Sequence, residues 1–481
     1  MNKNLIFDKS YIDGLWESEG DLYFDVFNPS NNKKIARVFD GGSKIAKKAV
    51  DAANNAFSSW SNKTAKYRSE ILEKWCNLII ENSDDLAEIM TLECGKPIKE
   101  SKGEVLYGAS FIKWFAEEGK RIYGDVIPSN SEDKRIVVLK QPIGVVAALV
   151  PWNFPCVLAS RKISTALAAG CSVICKPDTI TPGSVMSLID IINKAGFPDG
   201  AINLLSGDPA KVSEQLISSD IVKKVSITGS TRVGKIILKQ AADKVQRVTM
   251  ELSGHAPFIV YEDANIEKAV DTAMAAKYRN NGQVCISPSR FFIHEKIKSK
   301  FQDLFVKKTI KLKMGDAFSN SDLGPITTNK RLSDVEKLSD LTVKEGAELL
   351  CGGKRAPNFN KGYYFEPTIF DKVKDDFTIM TEEAFAPLSP MLSFKDFDEV
   401  IERANNHDNG LSSYVCTSSM KKAYQTADAL ETGMVSINTP VVAVAEAPFG
   451  GVKQSGYGRE GGSEAIKDYL NTKYTHLGLD S

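Results

Sequence analysis

The sequence predicts an α/β fold built on parallel β-sheets. Uninterrupted runs of β-branched and other apolar residues, such as 144–150, are typical of strands that are buried on both faces. These runs alternate with segments whose apolar residues recur at helical spacing, which is the pattern of βαβ units. At 481 residues the chain is also too long for one ordinary core, so more than one domain is expected.

The first 134 residues indicate a short strand region, followed by helices at 43–60 and 66–94. Beyond this region strands and helices alternate. The predicted strands lie at 135–139, 144–150, 172–176, 201–205 and 224–228. The predicted helices lie at 158–169, 184–195, 210–217 and 233–242. The strand 135–139 is expected, like 144–150, to be buried on both faces.

A second α/β block begins near residue 252. It opens with strands at 258–261 and 291–294, which flank a helix at 266–279. Helices follow through residue 312, and the block extends to about residue 449. The sequence contains no internal repeat, low-complexity tract or long linker.

Composition argues against several classes of function. Lys and Arg together number 61, as do Asp and Glu, so no net charge draws the chain to nucleic acid or to an anionic membrane. The longest apolar run, 143–150, is far shorter than the ~20 residues that span a bilayer. Residues 1–10 lack the apolar core of a signal peptide. We therefore expect a cytoplasmic protein without nucleic-acid or membrane partners.

The eight cysteines are scattered and do not form a disulfide framework, which fits a reducing compartment where a free thiol persists. The histidines are too dispersed for a metal site, so none is predicted; they are His255, His294, His407 and His476.

A glycine-containing turn lies between a predicted strand and a predicted helix. The segment runs from Gly229 through Ser230 to Gly234 and places main-chain N–H groups at the start of the helix, where a pyrophosphate binds. It differs from the G-x-G-x-x-G fingerprint and would be weak evidence alone. With the βαβ pattern around it, it predicts a Rossmann-like dinucleotide-binding region.

Three further residues supply the parts of a covalent oxidation. Cys285, in Asn-Gly-Gln-Val-Cys, is a candidate nucleophile, and Glu251, in Glu-Leu-Ser-Gly-His, is a candidate general base. Asn153, in Pro-Trp-Asn-Phe-Pro, could donate its amide to an oxyanion. Each has an ordinary alternative: a buried structural cysteine, a solvated glutamate at a strand end, and a turn-forming asparagine. Their joint occurrence favours oxidation of an aldehyde through a thioester.

At these motifs the chain resembles the aldehyde dehydrogenase superfamily, from about residue 26 to the C-terminal segment 469–474. The segments 161–162, 277–283 and 448–456 are most similar to succinate-semialdehyde dehydrogenases. The resemblance implies that the product is a free acid, because relatives that transfer the acyl group to coenzyme A characteristically lack the glutamate found here at Glu251.

The resemblance also implies a domain organisation. Residues 1–120 and 139–251 would form the dinucleotide-binding domain, and 252–450 the second α/β, catalytic domain. Residues 121–138 and 451–481 would form a β-arm for oligomerisation. The alternating pattern of 468–474 indicates an exposed strand, and such a strand pairs with another subunit rather than remaining an open edge. A homodimer or homotetramer is expected.

The resemblance assigns cofactor contacts to several separate segments. Trp152 would lie beside the cofactor, and Lys176, at the end of a strand, would reach the adenosine ribose. Glu383 would hold the nicotinamide ribose, and Phe385 would flank the nicotinamide ring. For Glu383 the alternative is an ordinary surface carboxylate.

The residue three after Lys176 bears on cofactor choice. NAD-preferring relatives often have a glutamate there, which grips the ribose hydroxyls. This chain has Thr179, which does not repel a 2′-phosphate, although the neighbouring Asp178 restores a negative charge. We expect NADP to be accepted at least as well as NAD.

The resemblance implies a pocket for an acidic substrate. Arg161 and Arg279 match the arginines that bind a distal carboxylate, and Phe154 and Phe449 would line the substrate tunnel. The alternative for each arginine is an ion pair within the protein. Ala443 replaces a serine of the family pattern, which leaves room for a longer acid.

Several substrate alternatives stay open beside succinic semialdehyde. They are 2-oxoglutarate semialdehyde, glutarate semialdehyde and a small neutral aldehyde. A catalytically idle structural relative is the non-enzymatic alternative. The position two after Cys285, which is a second cysteine in many relatives, is Ser287 here, so no local disulfide switch is expected.

Overall fold

The computed structural model describes residues 8–479 and confirms the α/β fold, with two large sheets that consist mostly of parallel strands. The first seven residues of the predicted segment 1–120 and the last two of 451–481 lie outside the described residues. No helix within the described residues is long and apolar enough to cross a membrane.

The helices are numbered along the chain. They are α1 Gly42–Ser61, α2 Ala65–Glu81, α3 Ser83–Cys94, α4 Ile98–Glu118, α5 Pro155–Ala169, α6 Pro182–Ala195, α7 Pro209–Ile217, α8 Thr231–Ala242, α9 Ile266–Tyr278, α10 Lys298–Thr309, α11 Asn329–Lys344, α12 Thr378–Thr381, α13 Phe397–Asn405 and α14 Met420–Ala429.

The strands are numbered in the same way. They are β1 Ser10–Ile12, β2 Leu15–Glu17, β3 Tyr23–Phe27, β4 Lys34–Phe39, β5 Asp125–Ile127, β6 Lys134–Pro142, β7 Val145–Val150, β8 Ser172–Pro177, β9 Ile202–Leu204, β10 Val222–Thr228, β11 Arg247–Glu251, β12 Ala256–Val260, β13 Pro288–His294, β14 Glu348–Cys351, β15 Thr368–Asp371, β16 Leu388–Phe394, β17 Asn409–Gly410, β18 Ser412–Cys416, β19 Met434–Ile437, β20 Val452–Lys453 and β21 Leu470–Gly478.

The first large sheet has the strand order β11-β10-β7-β8-β9-β1-β2. The strands from β11 to β9 are parallel, whereas β1 and β2 extend the sheet as an antiparallel pair. Every residue of β7 is buried, as its uninterrupted apolar character predicts, and β8 is buried throughout as well, including Ser172 and Lys176. Helices cover both faces, so this part of the chain has the Rossmann-like arrangement that the alternation predicts.

The second large sheet has the order β14-β15-β16-β13-β12-β18-β19. All its pairings are parallel except that of β14 with β15. Separate apolar cores pack against its two faces, one around α9 and α10 and the other around α11 and α13.

A third, smaller sheet has the order β21-β6-β5 and is antiparallel. The prediction that 135–139 is buried on both faces is wrong, because β6 belongs to this sheet and only Val138 of that run is buried. A β-branched run favours any pleated sheet, so the run Ile136 to Val138 could not distinguish a central strand from an exposed one. The sheet includes parts of the predicted segments 121–138 and 451–481, and also 139–142.

The carboxyl ends of β7, β10 and β11 bring the sequence motifs to one edge of the first sheet. β7 leads into Asn153, β10 leads into Gly229, and β11 ends at Glu251. In the register, Thr228 lies directly beside Glu251. This edge of a parallel sheet is where open α/β folds bind their ligands.

Candidate active site

Cys285 and Glu251 meet at the edge of the first sheet. Glu251 is buried, and neither of its carboxylate oxygens makes a hydrogen bond of normal geometry within the described protein. The half-buried Cys285 thiol lies close enough that each group shifts the pKa of the other. A Cβ on Gly254 would lie 2.2 Å from the Cys285 carbonyl oxygen, so glycine is required for the two segments to approach this closely.

The electrostatic setting couples the Glu251 carboxyl to the Cys285 thiol. Burial raises the pKa of Glu251, and the charge of Glu460 raises it further, whereas Arg161 lowers it. Burial and the neighbouring Glu251 raise the pKa of the Cys285 thiol well above its usual value. The thiol is therefore protonated at neutral pH, and its activation requires proton transfer to a neighbouring base.

An unusual backbone path presents Cys285. Asn280 and Asn281 adopt positive φ values of 45° and 55°, which asparagine tolerates better than most residues. Gly282 follows with φ of 73°, and a Cβ there would lie 2.4 Å from the carbonyl oxygen of Ala386. The side chain of Gln283 accepts a hydrogen bond from the main-chain N–H of Thr327 at 2.9 Å. These contacts fix the loop that carries the nucleophile.

Asn153 is held against this loop. Its Nδ2 donates to the carbonyl of Gln283 at 3.2 Å, and its own carbonyl accepts from Asn280 Nδ2 at 3.1 Å and from Lys96 Nζ at 2.7 Å. Because Nδ2 carries two hydrogens, one N–H remains for an oxyanion next to Cys285.

A buried ion pair between Lys96 and Glu104 contacts the main chain of Asn153. Lys96 Nζ lies 2.5 Å from Glu104 Oε2, and both side chains are fully buried. The other oxygen of Glu104 accepts from the N–H groups of Cys156 at 2.9 Å and Val157 at 3.2 Å, in the first turn of α5. One carboxylate therefore satisfies free N–H groups of α5 and holds the lysine that contacts Asn153.

A groove of about 1390 Å³ runs from the phosphate turn to the nucleophile. Gly229 and Ser230 line it at the start of α8, where Ser230 Oγ also caps the helix by accepting from Val233 N at 3.3 Å. Gly234 is not on the groove wall; a Cβ there would lie 2.6 Å from Leu252, so this glycine serves helix packing. The other predicted residues that line the groove are Trp152, Asn153, Glu251, Cys285, Glu383 and Phe385.

The far wall of the groove is a strained turn that contains Glu383 and Phe385. Phe385 has φ of 47°, and its ring meets Trp152 edge to face with centroids 5.6 Å apart. Arg331, in the first turn of α11, donates to the carbonyl of Ala384 at 2.7 Å. Burial raises the pKa of Glu383 to about 7. Arg331 thus fixes the turn that presents both predicted nicotinamide contacts.

Lys176 and Thr179 lie apart from this groove. Lys176 is buried at the end of β8, where its Nζ donates to the main-chain carbonyl of the next residue at 2.5 Å. Burial lowers the pKa of Lys176, and the charges of Asp178, Asp40 and Asp208 oppose that shift. Thr179 lines a cavity of about 440 Å³ together with Asp40 and Asp208.

The two predicted substrate arginines differ in their surroundings. Arg161 is buried, lies 3.1 Å from Glu460 Oε2, and stacks between the rings of Phe111 at 4.6 Å and Phe449 at 4.4 Å. It therefore has a carboxylate partner within the protein, which was the alternative left open by the sequence.

Arg279 is exposed on a cavity of about 530 Å³, and its guanidinium lies 4.7 Å from the ring of the buried Phe154. A carboxylate entering from solvent could reach Arg279 without displacing a buried partner. This difference makes Arg279 the more accessible cation of the two.

Sequence reasoning missed three residues of the site. Glu460 pairs with Arg161 across 299 positions, and no local pattern reveals such a distant partner. Arg331 is a charged residue near a helix start, which usually indicates a solvated face. Tyr107, whose hydroxyl is near both arginines, fits the apolar pattern of a core helix. No group of three or more potential metal ligands occurs within residues 8–479.

Comparison with known proteins agrees with this geometry. Residues 16–475 match the aldehyde dehydrogenase family. The chain is 42% identical to the succinate-semialdehyde dehydrogenase [NADP(+)] GabD of Escherichia coli (strain K12), with 99% of each chain covered. It is 42% identical to a glutarate-semialdehyde dehydrogenase of Pseudomonas putida, with 97% of each covered. It is also 42% identical to a 3-sulfolactaldehyde dehydrogenase of Pseudomonas putida, with 99% of this chain and 98% of that protein covered.

Solved structures show the same fold. The crystal structure of an E. coli NADP dependent enzyme superposes with a TM-score of 0.98 at 42% identity, and 99% of each chain is covered. A crystal structure of succinate-semialdehyde dehydrogenase from Burkholderia pseudomallei gives a TM-score of 0.97 at 43% identity, again with 99% of each chain covered. The sequence, the fold and the cysteine–glutamate site agree, and the chain belongs to the aldehyde dehydrogenase family.

Proposed function

We propose that the protein oxidises an aldehyde with a distal anionic group, succinic semialdehyde first, to the free acid with NADP⁺ or NAD⁺. The observation that carries the substrate class is Arg279, a cation on a solvent-open cavity beside Phe154. Glutarate semialdehyde and 2-oxoglutarate semialdehyde are the longer acids that the small Ala443 would accommodate.

The relatives support an anionic substrate class. The names of three proteins at 42% identity specify succinate semialdehyde, glutarate semialdehyde and 3-sulfolactaldehyde. Each of these aldehydes carries an acidic group beyond the carbonyl. A small neutral aldehyde would offer the Arg279 guanidinium no anionic group to bind, which argues against that alternative.

The residues of the groove fit a nicotinamide dinucleotide. The groove extends from the N–H groups at the start of α8 to the turn with Glu383 and Phe385. Trp152 packs on that turn. We propose that Gly229 and Ser230 hold the pyrophosphate, Glu383 the ribose, and Lys176 and Thr179 the adenosine side. When bound, the nicotinamide accepts the hydride of the aldehyde.

The chemistry proposed for the protein's own groups starts at the thiol. Glu251 accepts the proton of Cys285, and the thiolate adds to the aldehyde carbon. Asn153 Nδ2 and the main-chain N–H of Cys285 donate to the resulting oxyanion. After oxidation the acyl group remains on Cys285 as a thioester. Glu251 passes the proton of the thiol to solvent and then takes a proton from the water that attacks the thioester. The C–S bond breaks, the acid leaves, and Cys285 is regenerated as the thiolate.

NADP is proposed to be used at least as well as NAD. Thr179 carries no charge that would repel a 2′-phosphate, and the E. coli relative is named for NADP(+). A Thr179→Glu variant should lose kcat/KM with NADP⁺ and keep it with NAD⁺. A wild-type protein that clearly prefers NAD⁺ would contradict the proposal.

The substrate class is tested at Arg279. We expect Arg279→Gln to lower kcat/KM for succinic semialdehyde by about tenfold or more, since a hydrogen bond to a charged group contributes about 1.5–3 kcal/mol. The same variant should change kcat/KM for butanal less than about twofold, because butanal has no group to bind the guanidinium. Arg279→Lys, which keeps the charge, should retain part of the preference. Equal losses on both aldehydes would contradict the proposed anionic pocket.

A further inference from the structure

The hydroxyl of Tyr107 has no hydrogen-bond partner within the described residues, although the oxygen is buried. A buried hydroxyl without a partner costs free energy, and phenylalanine would fill the same space without that cost. The hydroxyl therefore calls for a function outside the packing of α4.

The surroundings of this hydroxyl place it in the substrate region. The Tyr107 ring packs against Phe111, one turn further along α4, with centroids 5.0 Å apart. The guanidinium of Arg161 lies over the Phe111 ring, 4.6 Å from its centroid. Arg161 and Arg279 both lower the pKa of Tyr107, while burial and the nearby Cys285 raise it, and burial is the largest influence.

Two buried polar atoms in this region, the Tyr107 oxygen and Arg161 Nε, have no hydrogen-bond partner within the described residues. Arg161 is near the Tyr107 oxygen, but the two make no hydrogen bond of normal geometry, and Arg161 Nε also has no partner within the described residues. The segment with Ala443 packs against the same apolar cluster as Phe111 and offers no side-chain hydroxyl. The Tyr107 hydroxyl, the Arg161 Nε–H and the exposed Arg279 thus lie near Cys285, the proposed nucleophile.

We propose that Tyr107 donates its hydroxyl hydrogen to the distal anionic group of the aldehyde, as a specificity-determining residue beside Arg279 and Arg161. This role rests on the proposed anionic substrate. A carboxylate accepts hydrogen bonds only, so it matches a phenol donor and two guanidinium groups. In this chain the tyrosine supplies the hydroxyl that Ala443 lacks.

Steady-state kinetics of Tyr107→Phe tests the proposal, with succinic semialdehyde and butanal as substrates. We expect kcat/KM for succinic semialdehyde to fall about tenfold or more through KM, because a charge-assisted hydrogen bond is lost, and kcat/KM for butanal to stay within about twofold. The thermal midpoint should stay the same or rise, because no hydrogen bond within the protein is removed.

Tyr261→Phe is the matched control, since the Tyr261 hydroxyl is buried and bonded to Thr426 Oγ1 at 2.8 Å in a different core. It should lower the thermal midpoint and leave the ratio of the two kcat/KM values unchanged. If Tyr107→Phe keeps the wild-type preference for the acidic aldehyde, the role of Tyr107 is overturned and the proposed substrate class stands. Equal losses on both aldehydes would reduce Tyr107 to a structural residue. A wild-type enzyme without any acidic preference would overturn the proposed substrate class together with this role.

Discussion

Burial favours the protonated state of both Glu251 and Cys285, although the thiol itself lowers the pKa of Glu251. Burial raises the pKa of both groups, and Glu460 adds to the effect on Glu251. The guanidinium of Arg161 opposes these shifts and offsets the charge of Glu460. The pKa of Glu251 therefore lies above its ordinary value but below what burial and Glu460 alone would give, which suits the general base that we propose.

Replacing Glu251 by Gln should reduce kcat by about 10²–10⁴-fold, the usual contribution of a positioned general base. The wild-type rate should fall as pH decreases through the raised pKa of Glu251, because the protonated carboxyl no longer accepts a proton. In Glu251→Gln the remaining rate should instead rise toward alkaline pH, as the thiol ionises without help. A variant with the wild-type pH profile would exclude Glu251 as the base.

Glu383 predicts a second pH dependence, in cofactor binding. Burial raises its pKa to about 7, so the carboxylate that would accept ribose hydroxyls is present above that pH and lost below it. The dissociation constant of NADP⁺, measured by fluorescence titration, should therefore increase as pH falls from 8 to 6. Glu383→Gln should bind more weakly and without this pH dependence. The same pH slope in both proteins would contradict the assignment.

The residues that we propose as catalytic could be identified from local motifs, but their supporting contacts could not. Asn153, Glu251 and Cys285 each lie in a recognisable string, and the structure brings all three to one groove. The pairing of Arg161 with Glu460 depends on tertiary structure and leaves no periodic trace in the sequence. The sequence therefore left open whether Arg161 binds substrate or forms an ion pair within the protein.

Charged side chains of α4 and α11 orient residues of the groove; Glu104 of α4 is fully buried, whereas Arg331 of α11 is partly exposed. Glu104 in α4 accepts hydrogen bonds from N–H groups at the start of α5. It also binds Lys96, which in turn donates to the main-chain carbonyl of Asn153. Arg331 plays the corresponding part for the turn with Phe385. The geometry of the groove thus depends on side chains that lie outside the sequence motifs of Asn153, Glu251 and Cys285.

Replacing Arg331 by Ala should raise KM for NADP⁺ by about tenfold, because a charged donor to a main-chain carbonyl contributes about 1.5–3 kcal/mol and the Glu383–Phe385 turn would lose its anchor. KM for the aldehyde should change little. Lys330→Ala, in the same helical turn but exposed, is the control. Equal effects of the two variants, measured by initial rates, would show that Arg331 does not position the turn.

At the level of elements, buried strands were predicted more reliably than exposed ones. The prediction 172–176 coincides with β8 within one residue because the short apolar run Val173 to Cys175, between Gly170 and Pro177, has few alternative interpretations. The helical prediction 66–94 corresponds to two helices, α2 and α3, with a break at Asn82 where φ is −100° and ψ is 16°. A single non-helical residue leaves the apolar spacing nearly intact, so the break is invisible in the pattern.

The small antiparallel sheet gives the molecule an exposed apolar surface. Val126 and Tyr474 are 74% and 70% exposed, and β21 lies at an open edge of the sheet. Open edges with apolar side chains are normally covered by another chain, so we expect a homodimer or homotetramer that uses this sheet.

Substituting Lys for both Val126 and Tyr474 should therefore lower the molecular mass measured by light scattering, because buried lysines would destabilise the contact. Both side chains are exposed in the single chain, so the variant should fold normally and its circular dichroism spectrum should match that of the wild type. An unchanged mass would show that subunits do not associate through this sheet.

For the molecule as a whole we propose one activity above all: oxidation of an acidic aldehyde to its acid. The most direct measurement is the initial rate of reduced cofactor formation by the purified protein with succinic semialdehyde and NADP⁺. We expect kcat/KM above about 10⁴ M⁻¹s⁻¹, the lower end of typical enzymes, and a value at least tenfold lower for butanal. A rate for butanal equal to or above that for succinic semialdehyde, glutarate semialdehyde and 2-oxoglutarate semialdehyde would contradict it.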